Sequence, residues 1–150
     1  MSSVEVLVRD EAARRALAAA LSAGRNTLPL MQDIGNLLVN QALERFELQR
    51  DPDGNDWASL SLAYLSVRKN PDAPILTQQG YLKNSLTYLA TRDLVETGSN
   101  LVYAAMQNFG GTGGPAWGSK DIPARTYMGL NQESEEEITA LVMSHFGGAN

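Results

Sequence analysis

The sequence predicts an α+β fold in which N-terminal helices pack on a small antiparallel sheet, with long loops and a C-terminal helix. Three observations predict it. Apolar residues recur at helical spacing from Met31 to Phe46 and again from Ile138 to Phe146, residues 85–98 alternate with period two about a turn, and the first helices come as a block instead of interleaving with strands. At 150 residues the chain has the length of one domain, residues 1–150, able to bury roughly two-thirds of its unfolded surface.

Val4, Val6 and Val8 alternate with Glu5, Leu7 and Arg9, the pattern of a short edge or joining strand with one β-branched face. Asp10 then caps a helix whose apolar side runs Ala13, Ala16, Leu17, Ala20 and Leu21, and Gly24 stops it. In the second helix Thr27 stands at the cap and Pro29 in the first turn. Met31, Ile34, Leu38, Ala42 and Phe46 fall on one face, with Asn36, Asn40 and Glu44 opposite. Such a stripe is core before it is a cofactor site.

From Gln49 to Pro74 the periodicity fails and turn formers crowd together, in Asp51-Pro52-Asp53-Gly54-Asn55-Asp56 and Asn70-Pro71-Asp72-Ala73-Pro74. This reads as a long connection anchored by Trp57, Leu60, Leu62 and Tyr64, of the kind that serves function or folds against a partner. Thr77 to Leu82 reads as a helical turn. Ser85–Ala90 and Asp93–Gly98 read as the strands of a hairpin across a Thr91-Arg92 turn. Tyr103–Gln107 is a short helix ended by Gly110, and Gly110 to Lys120 is a glycine-rich excursion. Ala124 to Leu130 reads as a further strand. Ser134 and Glu137 have the spacing of a capping box for a last helix that buries Ile138, Leu141, Val142 and Phe146 before Gly147.

Composition narrows the function. Twelve basic against seventeen acidic residues leave a net charge of −5, with a pI near 4.8. A surface that tracks nucleic-acid phosphates needs the opposite balance. There is no cysteine, so thiolate nucleophiles, disulfides and cysteine-ligated metals are excluded. The start, Met1-Ser2-Ser3-Val4-Glu5, lacks a basic segment followed by an apolar run, and Ala16 to Leu21 is too short to span a bilayer, so an aqueous compartment and no membrane are expected.

The catalytic and ligand-binding readings fail one by one. A calcium loop on Asp51-Pro52-Asp53-Gly54-Asn55 with Gly54 in sixth place would begin at Gln49 and end at Leu60, where a bidentate glutamate is required. Gly118-Ser119-Lys120 scrambles the Gly-Lys-Ser/Thr end of a phosphate loop. His145 is the only histidine, which rules out a histidine metal cluster and leaves a triad without a matched nucleophile. Beside Phe146 and before Gly147 it suits a helix cap. Glu133, Glu135, Glu136 and Glu137 start the last helix, where its dipole favours negative charge, and they diverge round the axis instead of pairing for glycosidic cleavage. No enzyme, cofactor or metal is expected.

The residues that decide the reading lie in the irregular middle and before the final helix. Phe46 is followed by Asp51-Pro52-Asp53-Gly54 and by Trp57-Ala58-Ser59-Leu60. Then come Lys69, Ile75-Leu76-Thr77, Gly80, Leu82, Ser85-Leu86, Gly98, Tyr103-Ala104 and Phe109-Gly110-Gly111. Ile122-Pro123-Ala124-Arg125 and Tyr127-Met128-Gly129-Leu130 close the series. In that order and spacing, from about Leu30 to Phe146, the chain resembles the phage virion morphogenesis family, the tail-completion proteins of Mu-like and P2-like phages. It departs from the family where relatives often carry histidine before the phenylalanine-glycine element and this chain has Gln107 and Asn108.

The resemblance implies a non-catalytic virion component, made in the host cytoplasm and placed in the tail or neck. It acts by self-association into a ring, six-fold to match tail symmetry, and by contact with tail and neck or connector proteins. A connector or stopper on the portal side demands similar surfaces. A small virion-associated hydrolase using His145 and Glu137, or an adaptor that binds a host factor, are rivals from other classes. Interface candidates are Trp57, Trp117, Arg125, Phe109 and Tyr127, because aromatics and arginine dominate interface energetics. Trp57 suits its own subunit's core better than an interface, Trp117 among glycines suits either, and Arg125 pairs a carboxylate across a contact or makes an internal salt bridge.

Overall fold

A computed structural model describes residues 2–5, 10–67, 74–76, 80–112 and 121–146. Val6 and Val8, Lys69 and the Asn70-to-Ala73 turn, Thr77 to Gln79, Trp117 with its glycine-rich neighbours 113–120, and Gly147 lie outside the described residues.

The first strand, β1 (Ser2–Glu5), leads to α1 (Glu11–Ser22). Asp10 caps that helix, its Oδ1 accepting the Ala13 N–H at 2.8 Å, and the helix ends at Ala23 before Gly24 turns left-handed at φ +69°. α2 (Leu28–Leu48) follows, 21 residues and about 32 Å long at the usual rise. Leu30, Met31, Ile34, Leu38, Ala42 and Phe46 are buried along one side, while Asn36, Asn40 and Glu44 are exposed on the other. Thr27 occupies the cap position without capping. Its backbone is already helical, and its buried hydroxyl donates instead to the Arg92 carbonyl, tying the hairpin tip to the start of α2.

The connection after α2 contains a short helix that its sequence hides, α3 (Leu62–Val67). Leu62 is 85% exposed there and anchors nothing, whereas Leu60 is half-buried. α4 (Tyr81–Ser85) comes next, so Ser85 ends a helix, and the hairpin strands are β2 (Thr87–Ala90) and β3 (Val95–Ser99). The hairpin turn has four residues, Thr91 to Leu94, closed by the Thr91 N–H on the Leu94 carbonyl at 2.8 Å. Strand order is β1-β3-β2, antiparallel throughout, with Val4 opposite Thr97 and Tyr88 opposite Thr97 from the other side.

α2 lies on β2 and β3, and Gly35 is what lets it approach. A Cβ at Gly35 would stand 2.3 Å from Cδ2 of Tyr88. Gly35→Ala is therefore expected to push the Tyr88 ring or the helix aside and to cost about 1–3 kcal/mol by overpacking, even though alanine is the better helix former. Thermal denaturation of the two proteins checks it, and an unchanged or raised midpoint contradicts it.

Beyond β3 come α5 (Ala104–Phe109), the two-residue strand β4 (Gly111–Thr112), and β5 (Asp121–Ile122), which pairs with β4. Ala124 to Leu130 is not a strand. Its Arg125, Tyr127 and Met128 N–H groups donate to Gln107 and Asn108 of α5, so a helix and a side chain take the place of a neighbouring strand.

α6 (Gln132–Phe146) closes the fold. Its cap is Asn131, whose Oδ1 accepts the Ser134 N–H at 2.8 Å, so Ser134 is a buried first-turn residue and the Ser134/Glu137 capping box does not form. Ser134 donates its hydroxyl toward Gln41 of α2, and Glu137 accepts from the Gln41 amide at 3.0 Å. His145 does not cap the helix either. Its Nε2 lies 2.9 Å from Asp33 Oδ2, linking the ends of α6 and α2.

Two apolar clusters lie along α2. The first gathers Ala13 of α1, Leu30, Met31, Ile34 and Leu38 of α2, Val95 of β3, and Ile138 and Val142 of α6. The second gathers Ala42 and Phe46 with Trp57, Leu82, Ala104, Tyr127 and Met128 at the other end of the helix.

Candidate assembly surface

The second cluster explains how the irregular stretch just after α2, residues 49–60, is held in place. Phe46 sits at its centre, edge-on to Trp57 with ring centroids 5.4 Å apart and tilted against Tyr127 at 5.1 Å. Both partners also use their polar ends. Trp57 Nε1 donates to the Thr126 carbonyl at 2.9 Å, and the Tyr127 hydroxyl donates to the Ala104 carbonyl at 2.8 Å. Burial pushes the Tyr127 hydroxyl well above the ordinary tyrosine range, so it remains a donor.

Two guanidinium groups fasten loops to this cluster. Arg45 Nη1 donates to the carbonyls of Tyr127 and Gly129, both at 3.0 Å. Arg125 donates from Nε to the Ala58 carbonyl at 2.8 Å and from Nη2 to the Ser59 carbonyl at 3.1 Å. Burial lowers the Arg45 pKa, and Glu44, Asp51, Asp53 and Glu133 oppose that shift. A planar fork of several donors suits carbonyls that sheet or helix leaves unpaired.

The turn after α2 is built by Asp51, whose Oδ1 accepts the N–H groups of Asp53 and Asn55, both at 2.9 Å. Asn131 reaches the Pro52 carbonyl at 3.0 Å, joining that turn to the start of α6. Asn108, fully buried, accepts the N–H groups of Tyr127 and Met128 on one side-chain oxygen, both at 3.0 Å, and its Nδ2 has no acceptor among the described residues. Gly110 is required beside it, since it has φ +71° and a Cβ there would meet the Ala124 nitrogen at 2.7 Å.

This geometry sorts the five interface candidates. Trp57 is buried in the subunit's own core. Tyr127 is corrected as a surface anchor, because its ring is wholly enclosed and its hydroxyl is used internally. Arg125 is likewise buried, at 6% exposure, and directs two of its donors at backbone carbonyls of its own chain. Phe109 is 60% exposed and remains available to a partner. Trp117 is among the residues not described.

Arg45 and Asn108 are the residues that sequence reasoning passed over. Arg45 stands one position from Phe46 on the buried side of α2, and a charge at such a position was the available signal. Asn108 carried a signal too, since it falls at the departure from the family's histidine.

The described residues contain no group of three His, Asp or Glu side chains placed to hold a metal ion, and no described helix is long and apolar enough to cross a membrane. Trp57, Tyr127, Arg45 and Arg125 all donate to backbone carbonyls, an arrangement for holding loops in place.

Comparison with known proteins bears on the same residues. The chain matches the phage virion morphogenesis family over residues 8–147, which takes in the Asp51 turn, Trp57, α5, Arg125 and Tyr127. It is 32% identical over 142 residues to a protein of Escherichia phage Mu described as "Putative capsid assembly protein G", covering 92% of this chain and 80% of that protein. No solved structure matches. With the match spanning nearly the whole chain, the protein belongs to the phage virion morphogenesis family and has a structural or assembly role in building the phage particle.

Proposed function

We propose that the protein completes the tail and supports its joining to the head, forming a six-fold ring that contacts tail and neck proteins without catalysing a reaction. The observation that carries this reading is the family match from residue 8 to 147, which includes every loop-fastening residue described above. A protein whose sequence is spent on holding exposed loops and a short helix in fixed places is suited to presenting contact surfaces. Head-to-tail contacts between identical subunits give a ring when their rotation closes, the form a cylindrical tail accepts at its end.

A connector or stopper on the portal side is the second reading, and the description of the Mu relative as a capsid assembly protein favours it. Antibody labelling of purified particles distinguishes the two. Label is expected at the head-proximal end of free tails in a lysate that makes no heads. Label confined to capsids from a tail-deficient lysate replaces tail completion by the portal-side role, and label on neither structure contradicts both.

A further inference from the structure

The turn after α2 carries the chain's one Asp-Gly pair, Asp53-Gly54, and the chain has no Asn-Gly. An aspartate followed by glycine is prone to isomerise, because glycine has no Cβ to hinder attack by its own backbone nitrogen. In that reaction the Gly54 nitrogen bonds to Cγ of the Asp53 carboxylic acid, and the N–H hydrogen leaves with the acid's hydroxyl as water. The succinimide ring then adds water at either carbonyl. One opening restores aspartate. The other leaves isoaspartate, in which the main chain runs through the side-chain carboxyl and is one methylene longer. Asp53 and Gly54 are both exposed, so water reaches them.

The conformation of the turn opposes ring closure. The Gly54 N–H donates to the Asp51 carbonyl at 3.0 Å, closing a turn with Pro52 and Asp53 at its centre. Pro52 fixes a negative φ at the first central position, which excludes the primed turns. Asp53 is not among the residues of positive φ, which excludes type II. A type I turn remains. Closure needs the Gly54 nitrogen to eclipse Cβ of Asp53, roughly a third of a rotation about Cα–C from the ψ of a type I turn. That rotation breaks the Gly54 hydrogen bond.

Asp51 resists it on both sides. Its Oδ1 accepts the N–H groups of Asp53 and Asn55, each at 2.9 Å, and its own N–H donates to the Asn55 carbonyl at 2.9 Å. Around the turn, Arg50 Nε lies 3.1 Å from Asp56 Oδ1, and Asn131 donates to the Pro52 carbonyl at 3.0 Å.

We infer that Asp53-Gly54 is an isomerisation site that the Asp51 side chain keeps closed. Asp51 thus has a chemical role besides shaping the turn, since it holds the Gly54 nitrogen away from the neighbouring carboxyl. An isoaspartate at residue 53 would lengthen the segment that Asp51 spans and draw Pro52 away from Asn131, so damage here reaches the start of α6.

The full-length parent, Asp51→Ala and Asp51→Asn are held in warm, mildly acidic buffer, with circular dichroism confirming that each is folded. Isoaspartate at residue 53 is followed by peptide mapping with electron-transfer fragmentation, and the parent in urea supplies the unprotected rate. The folded parent is expected to isomerise at least about tenfold more slowly than the unfolded chain, and Asp51→Ala to regain about tenfold, the change in open turn that losing two side-chain hydrogen bonds carries. Asp51→Asn keeps an oxygen acceptor in place and stays near the parent rate, and before Pro52 it meets no N–H with which to cyclise. If Asp51→Ala fails to fold, Asn131→Asp takes its place. It keeps the oxygen that caps α6, loses the donor to Pro52, and is expected to isomerise faster than the parent.

A folded parent that isomerises as fast as the unfolded chain overturns the protection. A folded Asp51→Ala at the parent rate, or an Asp51→Asn as fast as Asp51→Ala, overturns the role of the Asp51 oxygen. An unchanged rate in Asn131→Asp overturns the bracing of the turn.

Discussion

Phe46→Ala is expected to lower the unfolding free energy by about 3–5 kcal/mol, the cost of emptying a buried aromatic site whose walls relax only in part. Phe46 is 1% exposed and its ring packs against both Trp57 and Tyr127. Against a typical total stability of about 5–15 kcal/mol, this is a large share. Urea denaturation followed by tryptophan fluorescence measures it, with Trp57 reporting directly on the altered cluster. Phe46→Leu keeps most of the apolar volume and should recover more than half of the loss. A cost for Phe46→Ala under about 1 kcal/mol would mean that the cluster is not what holds the loops.

Arg45→Met separates hydrogen bonding from packing at the neighbouring position. Methionine retains an apolar stem of similar reach but no donors, leaving the Tyr127 and Gly129 carbonyls without Nη1. Stranding a buried acceptor costs about 1–3 kcal/mol, so two of them set the expected loss. Arg45→Lys should recover part of it, since a single ammonium lacks the fixed fork of the guanidinium. The measurement is the denaturation midpoint at constant m-value. Equal stability of Arg45→Met and the parent protein would show that water satisfies these carbonyls, and the clamp reading of Arg45 would fall.

Both residues bear on what can be read from sequence. The long helices were legible because periodicity and caps are local: Asp10 and the Met31-to-Phe46 stripe do what their spacing implies. Thr27, Ser134 and His145 were read by the same local rules and act otherwise. In each case a distant partner, Arg92, Gln41 or Asp33, takes the side chain that a helix end would have used. The segment from Ala124 to Leu130 has the composition of a strand, but its hydrogen-bonding neighbour is α5. No pattern within the segment reveals that.

The site was half legible. Aromatic and arginine residues were singled out as interface candidates, yet Trp57, Arg125 and Tyr127 are turned inward, where they fasten the subunit's own backbone. Phe109 alone of the described candidates is outward. The residues that carry the family resemblance and the residues that order the loops are largely the same. The signature therefore records how the scaffold is held.

The most direct test of the central claim is electron microscopy of a lysate from phage lacking only this protein. Filled or fillable capsids are expected alongside tails that are unfinished or unattached, and supplying the intact chain from a plasmid should restore joined particles. Complete, infectious virions assembled in its absence would contradict a role in tail completion and head-tail joining.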